Sequence, residues 1–176
     1  GHADLERLEA TLRSYADARP VALVLPCLYE ELHDVALKGI IAALRGVSYL
    51  REIVVSVSGT RRREDFEAMR RAFDGVRTIH GEPPTLLWNE GPRMRELLGR
   101  LAREGLDPGQ DGKGRSAWIA HGYVLASDRS RVIAIHDCDI RDYSRELLAR
   151  LVFPVANPNV NYEFAKGYYG RVTDRL

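Results

Sequence analysis

The chain has 176 residues, 45% of them hydrophobic, enough for one well-buried domain and too few for two ordinary ones. With 26 Lys plus Arg against 25 Asp plus Glu, its net charge of +1 gives no reason to expect nucleic acid or another polyanion as partner. The longest apolar runs fall far below the roughly 20 residues of a membrane-spanning helix, and no signal-peptide pattern opens the chain, so a cytoplasmic protein without a membrane span is expected. Two cysteines, Cys27 and Cys138, are too few for a disulfide scaffold and lack the paired spacing of a structural zinc site. Gly1 and His2 read as the remnant of an expression tag.

In chain order, Leu5, Leu8, Leu12 and Tyr15 share one face of an amphipathic helix predicted over 4–18. VALVL at 21–25 is a short apolar run ended by Pro26, which suits a buried parallel strand. A helix over 31–46, closing near Gly46, leads to a second buried strand, EIVVSV at 52–57, stopped by Ser58 and Gly59. A charged helix at 63–74, a short strand at 76–79 and helices near 91–104 and 114–127 precede RVIAIHD at 131–137, another buried strand. A helix at about 143–152 and an aromatic strand, NYEFAKGYY at 161–169, complete the series. This alternation predicts an α/β fold whose mostly parallel sheet is covered by helices, with ligands outside the carboxyl ends of its strands.

Two nucleotide-binding patterns are excluded. PCLYEE follows the first strand where a dinucleotide fold needs G-x-G-x-x-G. GKG at 112–114 is no P-loop, because Asp107 occupies the first glycine position and Gly114 the Ser or Thr position.

The strongest local signal is HDCDI at 136–140, at the end of a buried strand. Side chains two apart on a strand point the same way, so Asp137 and Asp139 can face one site and hold Mg²⁺ or Mn²⁺ against the two phosphates of a nucleotide sugar. An isolated D-x-D is more often a helix cap beside a solvated carboxylate, and its position after a buried strand is what favours the metal reading. His136, by the same alternation, faces away and reads as a packed histidine. Among three lysines in an arginine-rich chain, Lys113 lies between two glycines and reads as a diphosphate clamp or as an exposed loop lysine; Lys166 reads as a strand-edge lysine. Glu30 has the acceptors to meet a base or ribose, although it and Glu31 also suit a helix start. Ser58, Gly59 and Thr60 read as nucleotide contacts or as turn chemistry. Arg61, Arg62 and Arg63 read as a solvated helix start, and Trp88 and Trp118 as packing residues.

Taken in order, LPCLYEE at 25–31, SVSGT at 56–60, GKG at 112–114, HDCDI at 136–140 and EFAKGYYGR at 163–171 resemble the glucosyl-3-phosphoglycerate synthases, relatives of the mannosyl-3-phosphoglycerate and mannosylglycerate synthases. The resemblance covers nearly the whole chain after about residue 20. It implies the GT-A fold, with a Rossmann-like, mostly parallel sheet and helices on both faces, and makes 1–176 the nucleotide-sugar-binding part of a single catalytic domain. It implies a retaining glycosyltransferase that moves glucose or mannose from UDP-glucose, GDP-glucose or GDP-mannose to 3-phosphoglycerate or a related glycerate acceptor, with Mg²⁺ or Mn²⁺ as cofactor and a homodimer allowed. Pro26, Cys27, Leu28 and Glu30 would hold the base and ribose with help from Ser58, and Lys113 the diphosphate. Asp139 would be the more direct metal ligand, Asp137 would lie nearer the ribose or the coordination shell, and Cys138 would line the pocket. Tyr29 stands where the family usually has Asn, and Val57 where Asp is common, so base and sugar stay open.

No protein nucleophile stands out, and the resemblance implies front-face attack assisted by the departing phosphate. It also implies a further stretch that binds the acceptor and carries a metal-ligating histidine. None of His2, His33, His80, His121 or His136 follows the D-x-D, so the acceptor-binding part is expected to be missing from this chain. A sugar nucleotidyltransferase is the enzymatic alternative, but needs a Gly-rich basic loop where PCLYEE stands; a non-catalytic α/β nucleotide-binding module is the other.

Overall fold

The structure, a computed structural model, describes residues 1–160 and 162–167. Its elements are α1 (His2–Ser14), β1 (Val21–Leu28), a 3₁₀ helix (Tyr29–His33), α2 (Val35–Leu44), β2 (Leu50–Ser58), α3 (Arg63–Ala72), β3 (Thr85–Trp88), α4 (Pro92–Arg103), α5 (Lys113–Ser127), β4 (Val132–Ile135) and α6 (Arg145–Ala156). The strands form one parallel sheet in the order β3-β2-β1-β4. Chain direction across the sheet reverses between β1 and β4, which makes their carboxyl ends the topological switch point.

The alternation of strand side chains sorts the core into two layers. Leu23, Leu25 and Cys27 of β1 and Val55 and Val57 of β2 pack under α1, α2, α3 and α6, with Leu37, Ile40, Met69 and Leu148 filling the space between. Ala22, Val24 and Val54 face α5, against Ala120 and Val124. Asp34 fixes the start of α2 by accepting a hydrogen bond from the Ala36 N–H at 2.8 Å.

Several predicted boundaries shift. β1 passes through Pro26 to Leu28. Val24 turns its carbonyl to the β4 side, where it accepts from the His136 N–H, and Pro26, two residues on, points the same way. The last β1–β4 pair is Val24–Ile135, so the donor that proline lacks falls where the ladder has already ended. The strand predicted at 76–79 does not form; Val76 is a buried core plug, and Ile79 only donates one hydrogen bond to the Leu50 carbonyl. The third strand is instead Thr85–Trp88, paired with Val54–Val57. Of the strand predicted at 161–169, residues 162–167 have no strand pairing and expose Tyr162 and Phe164, while 161, 168 and 169 lie outside the described residues. α1 stops at Ser14, the 31–46 segment splits at Asp34 into a 3₁₀ turn and α2, and α6 continues through Pro154 to Ala156. Among the described residues, no helix is long and apolar enough to cross a membrane.

Candidate functional site

Three segments converge at the carboxyl end of the sheet: the β1 exit with its 3₁₀ helix, the first turn of α5, and the loop after β4. Along that loop His136 and Cys138 are buried, Asp137 is half-exposed and Asp139 exposed; β4 ends at Ile135, short of the predicted 137, and the chain turns at Cys138 and Asp139 where an extended strand is expected, yet both carboxylates still share one partner. Lys113, the first residue of α5, reaches both: its Nζ lies 3.4 Å from Asp137 Oδ1 and 3.7 Å from Asp139 Oδ2. Although partial burial works against its charge, Asp137 and Asp139, with Glu31 adding to their field, hold the ammonium above the ordinary lysine range. Three carboxylates thus act on one ammonium, leaving a local surplus of negative charge.

Among the β1 residues predicted to meet a nucleotide, Pro26 and Cys27 are buried, Leu28 is half-buried and Glu30 is exposed. Glu31 turns back to accept the Leu28 N–H at 2.8 Å, which closes the 3₁₀ turn. Cys27 and Cys138 are both buried free thiols, and their sulfurs come together with a Glu31 oxygen within 4.8 Å of one another. Their meeting follows from the β1–β4 pairing. The adjacent Cys138 thiol, then burial, push the Cys27 thiol well above its ordinary value.

Ser58 lies at the end of β2, but its hydroxyl is engaged inside the protein. It is 2.6 Å from the Ser116 hydroxyl of α5 and accepts from Asn89 Nδ2 at 2.8 Å. The same amide nitrogen lies 2.9 Å from Ser56 Oγ and 3.1 Å from Ser116 Oγ, so its two hydrogens are shared among three hydroxyl oxygens. This buried network joins β2, the end of β3 and α5, and sets the helix whose first residue is Lys113. Neither Asn89 nor Ser116 stood out in the sequence; had TLLW been assigned as a strand, the Asn after it would have marked a strand-end polar residue.

His136 packs edge-on against Tyr143, ring centroids 5.2 Å apart, and burial pushes its imidazole down to about 4 against the pull of Asp137. Trp88 stacks on Phe66 at 5.3 Å and donates its indole N–H to the Thr60 carbonyl, whereas Trp118 is half exposed. Arg61, Arg62 and Arg63 are solvated. Lys166 lies outside any strand and, with Asp137, Ile140, Leu147 and Pro154, lines an open cavity of about 610 Å³ beside the carboxylates.

No protein-family model matches the chain. It is 40% identical over 172 residues to the glucosyl-3-phosphoglycerate synthase of Persephonella marina, covering 98% of this chain and 41% of that protein. It is 32% identical over 170 residues to the synthase of Methanococcoides burtonii, covering 96% of this chain and 40% of that protein. The chain is a relative of the glucosyl-3-phosphoglycerate synthases. It spans about two fifths of the length of these curated relatives. Its fold also matches a crystal structure of the glucosyl-3-phosphoglycerate synthase from Mycobacterium tuberculosis, solved with Mn²⁺, uridine diphosphate and glucosyl-3-phosphoglycerate. The TM-score is 0.52 at 19% identity, over 85% of this chain and 44% of that one. That likeness bears on the fold, and the Rossmann-like parallel sheet of the GT-A class is the one found.

Proposed function

We propose that this chain carries the nucleotide-sugar-binding part of a single GT-A catalytic domain, in a metal-dependent glycosyltransferase that acts with retention at the anomeric carbon. The observation that supports it most is the convergence of Asp137, Asp139 and Lys113 at the switch point of a parallel sheet. The donor is a UDP- or GDP-linked glucose or mannose, and the acceptor 3-phosphoglycerate or a related glycerate. The M. tuberculosis enzyme, whose structure contains Mn²⁺, uridine diphosphate and glucosyl-3-phosphoglycerate, supports UDP-glucose as the first donor to test.

The donor set fits a hard cation: two carboxylates, one half-exposed and one exposed, that share Lys113 as a partner in a surplus of negative charge among the described residues. Asp139 and Asp137 would hold Mg²⁺ or Mn²⁺, which supplies charge neutralisation at the departing diphosphate. Lys113, the first residue of α5 and within reach of both carboxylates, would meet a phosphate oxygen of the donor with its Nζ beside the N-terminus of that helix. Glu30 and the backbone of Pro26 to Leu28 border the base and ribose. Cys27 and Cys138 form the floor beneath them, and Ser58 acts by fixing α5.

Calorimetric titration of the purified chain with UDP-glucose and GDP-mannose, with and without Mg²⁺ or Mn²⁺, tests the reading. Metal-enhanced binding that Asp139→Ala removes, in a variant with unchanged circular dichroism, is expected. Metal-independent binding, no binding, or exchange of pyrophosphate into the nucleotide sugar would each count against it.

A further inference from the structure

The spacing of Cys27 and Cys138 in the chain resembles no zinc motif, yet the β1–β4 pairing brings them together, with Glu31 as a third potential ligand. One ligand atom from each, Cys27 Sγ, Cys138 Sγ and a Glu31 carboxylate oxygen, lies within 4.8 Å of the other two. A tetrahedral zinc ion, with Zn–S near 2.3 Å and Zn–O near 2.1 Å, needs donors roughly 3.5 Å apart, so closing the set calls for side-chain shifts on the order of 1 Å. The donors come from β1, the 3₁₀ helix and the loop after β4, segments already fixed by strand pairing and by the Glu31 cap on Leu28. Apart from this cluster, the Cys27 thiol makes one long contact among the described residues, donating to the Leu28 carbonyl at 3.7 Å. Glu31 is half-buried, whereas both thiols are buried.

We propose that Cys27, Glu31 and Cys138 form a second cation site, selective for a thiophilic divalent ion such as Zn²⁺ or Cd²⁺, beneath the carboxylate pair. Binding displaces both thiol protons to solvent and forms two metal–sulfur bonds and one metal–oxygen bond, with a fourth position left for water. Thiolate donors favour a soft ion, while the exposed oxygens of Asp137 and Asp139 favour a hard one. Cys138 is buried, whereas Asp137 is half-exposed and Asp139 exposed, so the two donor sets differ in depth along one loop. An ion here ties the β1 exit to the D-x-D loop.

The test is titration of the reduced chain with Cd²⁺ in excess Mg²⁺, following thiolate-to-cadmium charge-transfer absorbance and the reaction of both thiols with a disulfide reagent. A band that saturates at one ion per chain is expected, together with protection of both thiols that Mg²⁺ alone does not give. Cys27→Ser and Cys138→Ser should each abolish the band, Glu31→Gln should weaken binding tenfold or more, and Asp139→Ala should leave the band unchanged. A missing band, a band that survives either cysteine substitution, or one lost in Asp139→Ala overturns the proposal. If the serine variants do not fold, thiol protection in the unsubstituted chain decides, and unprotected thiols overturn it. No nucleotide enters these measurements, so the site stands or falls apart from the transferase reading.

Discussion

Lys113 Nζ and Asp137 Oδ1 lie 3.4 Å apart across the carboxyl end of the sheet, one at the first turn of α5 and the other in the loop after β4. Both side chains are nearly half exposed, at 45% and 47%, and water screens such a pair to at most about 1 kcal/mol. Folding therefore gains little from it, and its value lies in charge held ready for a ligand. Lys113→Met is expected to leave the thermal midpoint almost unchanged and to weaken a nucleoside diphosphate about tenfold, the loss of one charge-assisted contact. Binding of the free nucleoside should not change. Calorimetry on the two ligands checks this, and an equal loss for both would mean that the substitution had disturbed the base pocket instead.

The buried amide of Asn89 holds Ser56, Ser58 and Ser116 together, so its removal should act on stability and on the site at once. Asn89→Leu strips the buried Ser56 hydroxyl of its bonds to the amide, while Ser58 and Ser116 keep each other, at a cost of about 1–3 kcal/mol. Urea denaturation should show a lower midpoint with an unchanged slope. Nucleotide affinity should fall as well, because Ser116 lies in the first turn of α5 beside Lys113; intact affinity in a destabilised protein would show that the network does not position the lysine.

The central strands and the D-x-D were legible because each depends on local pattern: apolar runs for β1, β2 and β4, and a carboxylate pair directly after the last of them; that both carboxylates reach Lys113 comes from a turn at Cys138 and Asp139 and not from strand alternation. β3 was not, since TLLW is only four residues long and half-buried, while Val76 imitates a strand by filling the core. The aromatic 162–167 stretch misled for the opposite reason: its composition favours a strand, but no neighbour pairs with it among the described residues. The Asn89 network is a product of strand order that no spacing within the chain announces, whereas Cys27 and Cys138 are expected to meet at the switch point once β1 and β4 are sheet neighbours, and the structure adds Glu31 to them.

Gly91 shows how closely the end of β3 is packed. A Cβ placed there would lie 2.9 Å from Trp88 Cδ2 and Cε3, and the indole is held by its stack on Phe66 and its bond to the Thr60 carbonyl. Since Gly91 has an ordinary φ of −68°, the conflict is steric and not conformational. Gly91→Ala should cost about 1–3 kcal/mol and alter tryptophan fluorescence. Unchanged emission at full stability would mean that the ring can shift.

The last expectation concerns Glu9 and Arg145, which join α1 to α6. Arg145 Nε donates to Glu9 Oε1 at 3.0 Å and Nη2 to Glu9 Oε2, so the carboxylate is gripped at both oxygens. Glu9 is only 2% exposed, a position a lone carboxylate does not tolerate, and its hydrogen bonds raise the Arg145 guanidinium further. Arg145→Met should therefore cost about 3–5 kcal/mol, mostly from the charge left behind. The double variant Glu9→Leu with Arg145→Met removes that charge together with its partner, and should recover most of the loss because a buried ion pair gains little over apolar packing. Chemical denaturation of the single and double variants forms a cycle that isolates the coupling. If the double variant were as unstable as the single one, the pair would be contributing net stability to the α1–α6 contact, and the view of it as a matched neutralisation of a buried acid would be wrong.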